Sequence, residues 1–265
     1  MTRTSARVGT LAAAVVTVLV LAGCSSAASA KSPVPKDSAS VTGSITVDAA
    51  SSLTGTFDTV AAKFEKKYPG THVTFNYGGS GALAAAIVAG APVDVFAAAS
   101  RATMEIVTKA NLAKGTPQTF VRNQLEIAVP AGNPGKITGL DDFADASKKI
   151  ALCDPAQPCG AAAAAVFTAE KITARPDTLE PDVKSALTKV TLGEVDAAMV
   201  YHTDVVAAGS KVQGIPFPQS ADFIVSYPIA SVSGSVHAKV AAAFVRFVLG
   251  DQAQGVLTDA GFIAK

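Results

Sequence analysis

Length, composition and charge limit the classes of protein to which this chain can belong. Its 265 residues, 49% hydrophobic and 16% charged, are enough for two globular domains of ordinary size. The formal net charge is +1, and it becomes −1 without Arg3 and Arg7, which lie in a segment that we expect to be removed. We therefore expect no nucleic acid as a partner, because binding to phosphate backbones depends on an excess of positive charge.

The N-terminal segment has the features of a bacterial export signal. Arg3 and Arg7 precede an apolar run over residues 8–21, which is too short for a comfortable membrane span. We therefore expect residues 1–23 to be a signal peptide and the rest of the chain to act outside the cytoplasmic membrane.

The end of this run resembles a lipobox. Its sequence is Leu21-Ala22-Gly23-Cys24, and the resemblance implies cleavage before Cys24 and a diacylglycerol on its thiol. An ordinary signal peptide with an accidental cysteine is the alternative. Residues 24–42 are rich in Ser, Ala, Pro and Lys without periodic apolar positions, which is typical of a flexible tether. We expect a lipoprotein anchored to the outer face of the cytoplasmic membrane.

From residue 43 onward, short apolar runs alternate with helical patterns, which indicates an α/β fold. The first strand is predicted at 45–47 and the first helix at 52–68, with Ser51 or Ser52 as its N-cap. The apolar face of this helix contains Leu53, Phe57, Val60, Phe64 and Tyr68. Further strands are predicted at 73–77, 93–97, 124–129, 149–152, 197–201, 212–215 and 223–229, and further helices around 83–88, 104–112, 160–167, 183–190 and 240–248, with a short one before Gly261.

Two cysteines remain once Cys24 is set aside. Cys153 and Cys159 form an even pair in an exported chain, which favours a disulfide that closes the loop between them. Their spacing is not that of a Cys-x-x-Cys redox motif. The histidines show no ligand spacing for a metal ion; they are His72, His202 and His237.

Several predicted helix starts offer unpaired backbone N–H groups. The turns at 49–52 (Ala-Ala-Ser-Ser) and 78–81 (Gly-Gly-Ser-Gly) follow strands and contain only small residues, and residues 158–160 and 182–184 provide two further helix starts. In open α/β sheets, ligands bind beyond the carboxyl ends of the strands, where such turns lie, and helix N-termini favour anions. Four of them together would form a cage of hydrogen-bond donors. A serine that merely caps a helix, or a simple tight turn, is the purely structural interpretation.

Five further segments are distinctive: residues 45–54, Gly-Ala-Pro-x-Asp-x-Phe at 90–96, Asp154-Pro155 with Pro158-x-Gly160, Val200-Tyr201 with Asp204, and Gly261-Phe262. In these segments the sequence resembles the molybdate-binding proteins that serve ABC importers, over about residues 44–263. The resemblance implies an α/β, two-lobed periplasmic-binding-protein fold of type II, with the ligand in a cleft between two α/β domains. We expect one domain over 43–123 plus 230–265 and an inserted one over 124–229.

The resemblance also implies a set of ligands for the anion. Ser52 and Ser80 match serines that give a hydroxyl and a backbone N–H, Cys159 and Val183 match positions that give a backbone N–H, and Tyr201 matches a tyrosine whose phenol reaches the anion. Molybdenum would be bound only as molybdate, or tungsten as tungstate, with no cofactor and no enzymatic activity. The implied partner is the membrane permease of an ABC importer, and the binding protein is expected to be a monomer.

Other functions compete with this one. Binding of sulfate or phosphate is the main alternative; a cage made only of donors disfavours monohydrogen phosphate, whose proton requires an acceptor. A dinucleotide-binding enzyme could be inferred from Gly79-x-Gly81-x-x-Ala84, but the acidic residue usual after the next strand is missing. A serine hydrolase would need Gly-x-Ser-x-Gly, and residue 82 is Ala. A structural surface lipoprotein would leave the ligand-type turns unexplained.

Overall fold

The computed structural model describes residues 41–265. The predicted signal peptide (1–23), the lipid on Cys24 and nearly all of the predicted tether (24–42) lie outside the described residues. Among the helices of residues 41–265, none has the length and apolar character needed to cross a membrane.

The first of two sheets has six strands, numbered here along the chain. In spatial order they are β11 (Ile263–Ala264), β4 (Ala113–Asn123), β10 (Val225–Val232), β3 (Val95–Ala97), β1 (Gly43–Ala50) and β2 (Thr71–Gly78). Strand β1 pairs in parallel with β2 and β3, whereas β10 runs antiparallel to β3 and β4. The helices packed with this sheet are α1 (Thr56–Lys67), α2 (Ser80–Val88), α3 (Arg101–Lys109), α7 (Ala238–Val248) and α8 (Asp251–Asp259).

The second sheet has five strands from the middle of the chain. In spatial order they are β7 (Thr178–Glu180), β6 (Ile150–Cys153), β8 (Ala197–Tyr201), β5 (Leu125–Pro130) and β9 (Val212–Ile215). Strand β6 pairs in parallel with β7 and β8, and β5 runs antiparallel to β8 and β9. Its helices are α4 (Pro158–Ala169), α5 (Val183–Thr191) and α6 (His202–Ala208). The α/β, two-lobed architecture expected from the sequence is confirmed, with one lobe around each sheet.

The chain passes between the two sheets twice. It leaves the first sheet at Asn123, enters the second at Leu125, and returns at Val225, which pairs with Asn123. The domain boundary that we expected after residue 229 therefore divides strand β10. The reason is that β10 needs its full length to pair with both β4 and β3, so residues 225–229 belong to the first sheet.

The start of the first helix differs from the prediction. Ser51–Leu53 form a short 3-10 turn, and α1 begins at Thr56, after Gly55. Neither serine is an N-cap, so that prediction was wrong. Gly55 has a φ of 77°, a left-handed conformation that glycine adopts readily and that separates the serine turn from the helix. The predicted apolar face is nevertheless buried at Leu53, Phe57, Val60 and Phe64.

A disulfide closes the loop that precedes α4. Cys153 ends β6 and Cys159 lies in the first turn of α4, and their sulfurs are bonded with the two Cα atoms 5.8 Å apart. The loop therefore has both of its ends fixed, one to the second sheet and one to a helix start.

Candidate functional site

The first candidate residue, Ser52, lies at the carboxyl end of β1 and is buried. Its Oγ is 2.9 Å from the Oη of Tyr227, a buried tyrosine of β10. Asn123 Nδ2 donates to the same Tyr227 Oη at 3.5 Å. Either hydroxyl of the Ser52–Tyr227 pair can be the donor. When Tyr227, which accepts from Asn123, gives its own hydrogen to Ser52, the Ser52 hydrogen is left for another acceptor.

Asn123 is itself fixed where the chain leaves the first sheet. Its Oδ1 accepts from the N–H of Gln124 at 3.0 Å, and its Nδ2 also donates to Thr203 Oγ1 at 2.8 Å. Because Thr203 belongs to α6, this buried network joins the first lobe to the second beside the crossing.

Ser80 is the first residue of α2 and is 1% exposed. Its Oγ accepts from the backbone N–H of Ala99 at 3.0 Å. The next residue, Gly81, donates its N–H to Gln157 Oε1 at 3.0 Å. Because the N–H groups of a first helical turn have no partner within the helix, Ser80 can offer both its N–H and its hydroxyl hydrogen to a ligand.

Two candidate residues of the second lobe lie at helix starts. Cys159 is the second residue of α4, and Val183 is the first residue of α5. The carboxylate of Asp182 accepts from the N–H groups of Lys184 and Ser185, at 2.8 and 3.1 Å. The Val183 N–H is outside this cap, so the helix start keeps one donor for a ligand.

Tyr201 ends β8 and is 1% exposed, yet its Oη makes no hydrogen bond of normal geometry among the described residues, although the Tyr227 hydroxyl is close enough for the two phenols to affect each other's pKa. Its ring lies 6.0 Å from the ring of Tyr227. Burial, with Tyr227 and Asp204 nearby, raises the pKa of Tyr201 well above its usual value, so the phenol stays neutral and keeps its hydrogen. A buried hydroxyl left unpaired costs about 1–3 kcal/mol, and an anion accepting from it would remove this cost.

Asp204, which completes the Val200-Tyr201 motif, is a fully buried carboxylate. Its Oδ2 accepts from the Tyr201 N–H at 3.2 Å, and its Oδ1 lies 3.0 Å from Lys184 Nζ, an ion pair without hydrogen-bond alignment. Burial raises the pKa of Asp204, and Lys184 acts against that shift. The pair ties the start of α5, which carries Val183, to the first turn of α6, and the bond from the Tyr201 N–H extends this connection to the end of β8.

The structure brings the five candidate residues to one region between the lobes. A Cβ atom on Gly79, next to Ser80, would lie 2.3 Å from the carbonyl oxygen of Pro181 and from Gln157 Oε1, in the loops that lead to Val183 and Cys159. Helix α5 also contacts the turn that carries Ser52. Tyr227 then connects Ser52 with Tyr201. Within residues 41–265, no group of three or more His, Cys, Asp or Glu could hold a metal ion.

Three residues of this region escaped the sequence analysis. The sequence predicts Tyr227 only as part of a strand, places Asn123 just before another strand, and gives Gln157 no role beyond the cysteine loop. A tyrosine within a buried apolar strand is a signal that could have indicated Tyr227. Nothing local indicates Gln157, whose partner is 76 residues away.

Comparison with known proteins matches residues 45–263 to a family described as bacterial extracellular solute-binding protein. The chain is 34% identical over 256 residues to the molybdate-binding protein ModA of Mycobacterium bovis, covering 95% of this chain and 97% of the relative. It is 33% identical over 236 residues to the molybdate-binding protein ModA of Escherichia coli, covering 84% and 90%.

Two solved structures share the fold at lower identity. The periplasmic molybdate-binding protein of Azotobacter vinelandii superposes with a TM-score of 0.69 at 22% identity, over 83% of this chain and 99% of that one. The sulfate-binding protein SubI of Mycobacterium tuberculosis superposes with a TM-score of 0.70 at 22% identity, over 83% and 86%. At such identities the superpositions show the fold alone.

Proposed function

Because the chain belongs to the family of bacterial extracellular solute-binding proteins, we propose that it captures molybdate, and tungstate with it, and delivers the anion to the permease of an ABC importer. The family is one of binding proteins and not of enzymes. Relatives that match nearly the whole chain at 34% identity are named as molybdate-binding, which supports this choice of cargo.

Five residues are proposed to hold the anion. Ser52, Ser80 and Tyr201 donate through hydroxyl groups, and Cys159 and Val183 through backbone N–H groups. The observation that carries the proposal is the Tyr201 hydroxyl, which is buried and has no partner in the described part of the chain. Each hydrogen bond to a charged group contributes about 1.5–3 kcal/mol, so five of them can hold a desolvated dianion without a fixed positive charge.

Each of the two serines can donate its hydroxyl hydrogen to the anion. Ser80 Oγ already accepts from Ala99, and Ser52 Oγ lies beside the Tyr227 hydroxyl, which is supplied by Asn123. Because Tyr201 also keeps its hydrogen, the site presents hydrogens throughout. A fully deprotonated tetrahedral anion can accept from all of them, whereas monohydrogen phosphate brings a proton for which these five residues offer only hydroxyl oxygens as acceptors.

The arrangement of the chain around the site completes the proposal. We take residues 43–123 with 225–265 as one lobe and 124–224 as the other, with the cargo bound between them. The mature protein would be a monomeric lipoprotein held by Cys24 at the outer face of the cytoplasmic membrane, so that the released anion is close to its permease. Mass spectrometry of the membrane fraction tests this anchor: an acylated Cys24 supports it, and any other mature N-terminus contradicts it.

One titration tests the cargo. Residues 42–265 would be titrated by calorimetry with molybdate, tungstate, sulfate and phosphate in parallel. We expect molybdate and tungstate to bind much more tightly than the other two anions. Tighter binding of sulfate or phosphate would assign the site to that anion, and the absence of binding to all four would refute the oxyanion cage.

A further inference from the structure

The glycine turn before α2 touches the opposite lobe closely. A Cβ on Gly79 would lie 2.3 Å from Gln157 Oε1, and one on Gly81 would lie 2.5 Å from the carbonyl oxygen of Ala156. Gly79 has a φ of −63° and a ψ of 125°, which any residue can adopt. Gly81 lies inside a helix, where glycine is unfavourable relative to alanine. Both glycines are therefore explained by the approach of the second lobe and not by backbone conformation.

One side chain makes the directed contact across this boundary. Gln157 Oε1 accepts from the Gly81 N–H at 3.0 Å, and the residue is 8% exposed. Gln157 occupies the N-cap position of α4, from which a side chain commonly accepts an N–H of its own helix. Its side chain makes no such bond and reaches the first lobe instead.

The loop presents this side chain in a fixed conformation. Asp154 accepts the Gln157 N–H through its backbone oxygen at 2.9 Å and the Ala156 N–H through Oδ1 at 2.8 Å. The Cys153–Cys159 bond closes the loop. Because the loop is already ordered, little conformational entropy is lost when Gln157 meets Gly81.

We propose that Gln157 is a positioning residue that clamps the two lobes over the bound anion and slows its release; the identity of the anion rests on the proposed function. A contact that exists only when the lobes meet stabilises the closed form relative to the open one, and its loss affects dissociation more than association. The carboxamide adds no negative charge beside the anion. It also occupies the Gly81 N–H, while the Ser80 N–H stays available to the anion.

The first test is the rate at which molybdate leaves. Release of radioactive molybdate into excess unlabelled tungstate would be followed for wild type, Gln157→Ala and Gln219→Ala. Gln219 is a matched control, since its amide contacts Glu170 at the other end of α4. We expect Gln157→Ala to release molybdate about three- to tenfold faster, the effect of one net hydrogen bond, with an association rate within about twofold of wild type. Equal release rates in wild type and Gln157→Ala, at equal melting temperatures, would overturn the clamp.

A second readout separates the clamp from the cargo. Amide exchange of Gly81, followed by NMR, should be slow in wild type and at least about tenfold faster in Gln157→Ala, because the N–H loses its acceptor. If wild type binds none of the four anions and this difference persists, the proposed cargo and the slowing of its release fail, while the contact of Gln157 with Gly81 between the lobes stands. If molybdate binds and Gly81 exchanges equally in both proteins, the clamp fails while the cargo stands.

Discussion

The two walls of the candidate site present donors of different kinds. On the first lobe the donors are the hydroxyls of Ser52 and Ser80. Each hydroxyl is oriented by a hydrogen bond to a neighbour, Tyr227 for Ser52 and the Ala99 N–H for Ser80. On the second lobe they are the backbone N–H groups of Cys159 and Val183, set by the starts of two helices, with Tyr201 as the one side chain. The first wall thus depends on residue identity, and the second mainly on where helices begin.

The largest loss of affinity is expected for Ser80→Ala. The change removes a buried donor to the anion and also leaves the Ala99 N–H without its acceptor. We expect molybdate binding to weaken by about 1.5–3 kcal/mol, measured by calorimetry. Ser147→Ala, which alters an exposed serine, is the control. An unchanged affinity in Ser80→Ala would show that the first wall does not depend on its hydroxyls.

Tyr201→Phe should separate binding from stability. Molybdate affinity should fall by about 1.5 kcal/mol because a donor to the anion is lost. The melting temperature of the anion-free protein should not fall, since the removed hydroxyl has no partner among the described residues. Tyr68→Phe serves as the matched control. A lower melting temperature with unchanged affinity would make Tyr201 a structural residue only.

Tyr227→Phe should act through Ser52 without touching the anion. The Ser52 hydroxyl would lose the neighbour that orients it, and we expect affinity to fall by about 1 kcal/mol. In a double-mutant cycle with Ser52→Ala the two losses should not add, because both act on one donor. Additive losses would show that Tyr227 does not affect the anion through Ser52.

The smallest change in affinity is expected when Cys153 and Cys159 are both replaced by Ala. The Cys159 N–H remains, so molybdate affinity should change by less than about threefold. The free energy of unfolding should fall by about 2 kcal/mol, as expected for a small disulfide loop. Thiol counting on native wild type should find no reactive thiol in the soluble domain. A loss of affinity as large as that of Ser80→Ala would show that the second wall also depends on residue identity.

The local pattern of apolar and polar residues predicts much of the fold. Strands β8 and β9 begin and end at the predicted residues, at 197–201 and 212–215. Strand β4 was missed because its first half is polar and exposed and contains Gly115 and Pro117; it forms because β10 pairs along it. Helix α6 was missed because it follows β8 without a break.

Only part of the candidate site could be predicted from the sequence. Small residues after strands indicated the turns of Ser52 and Ser80, because their composition is local. The bond between Ser52 and Tyr227 joins residues 175 apart, and the contact between Gly81 and Gln157 joins residues 76 apart. The hydrophobic periodicity of the sequence does not reveal such pairs, because the residues meet only when both lobes have folded.

The double crossing of the chain also has a consequence for the order of folding. Residues 124–224 contain every strand of the second sheet, so that sheet can assemble from one continuous segment. The first sheet cannot be completed until β10 and β11 have emerged, because β4 pairs with both and they come from the last 41 residues. Contacts between residues distant in sequence slow folding. We therefore expect residues 124–224 to fold first. A chain that lacks β10 and β11 should have a folded second sheet and an incomplete first sheet.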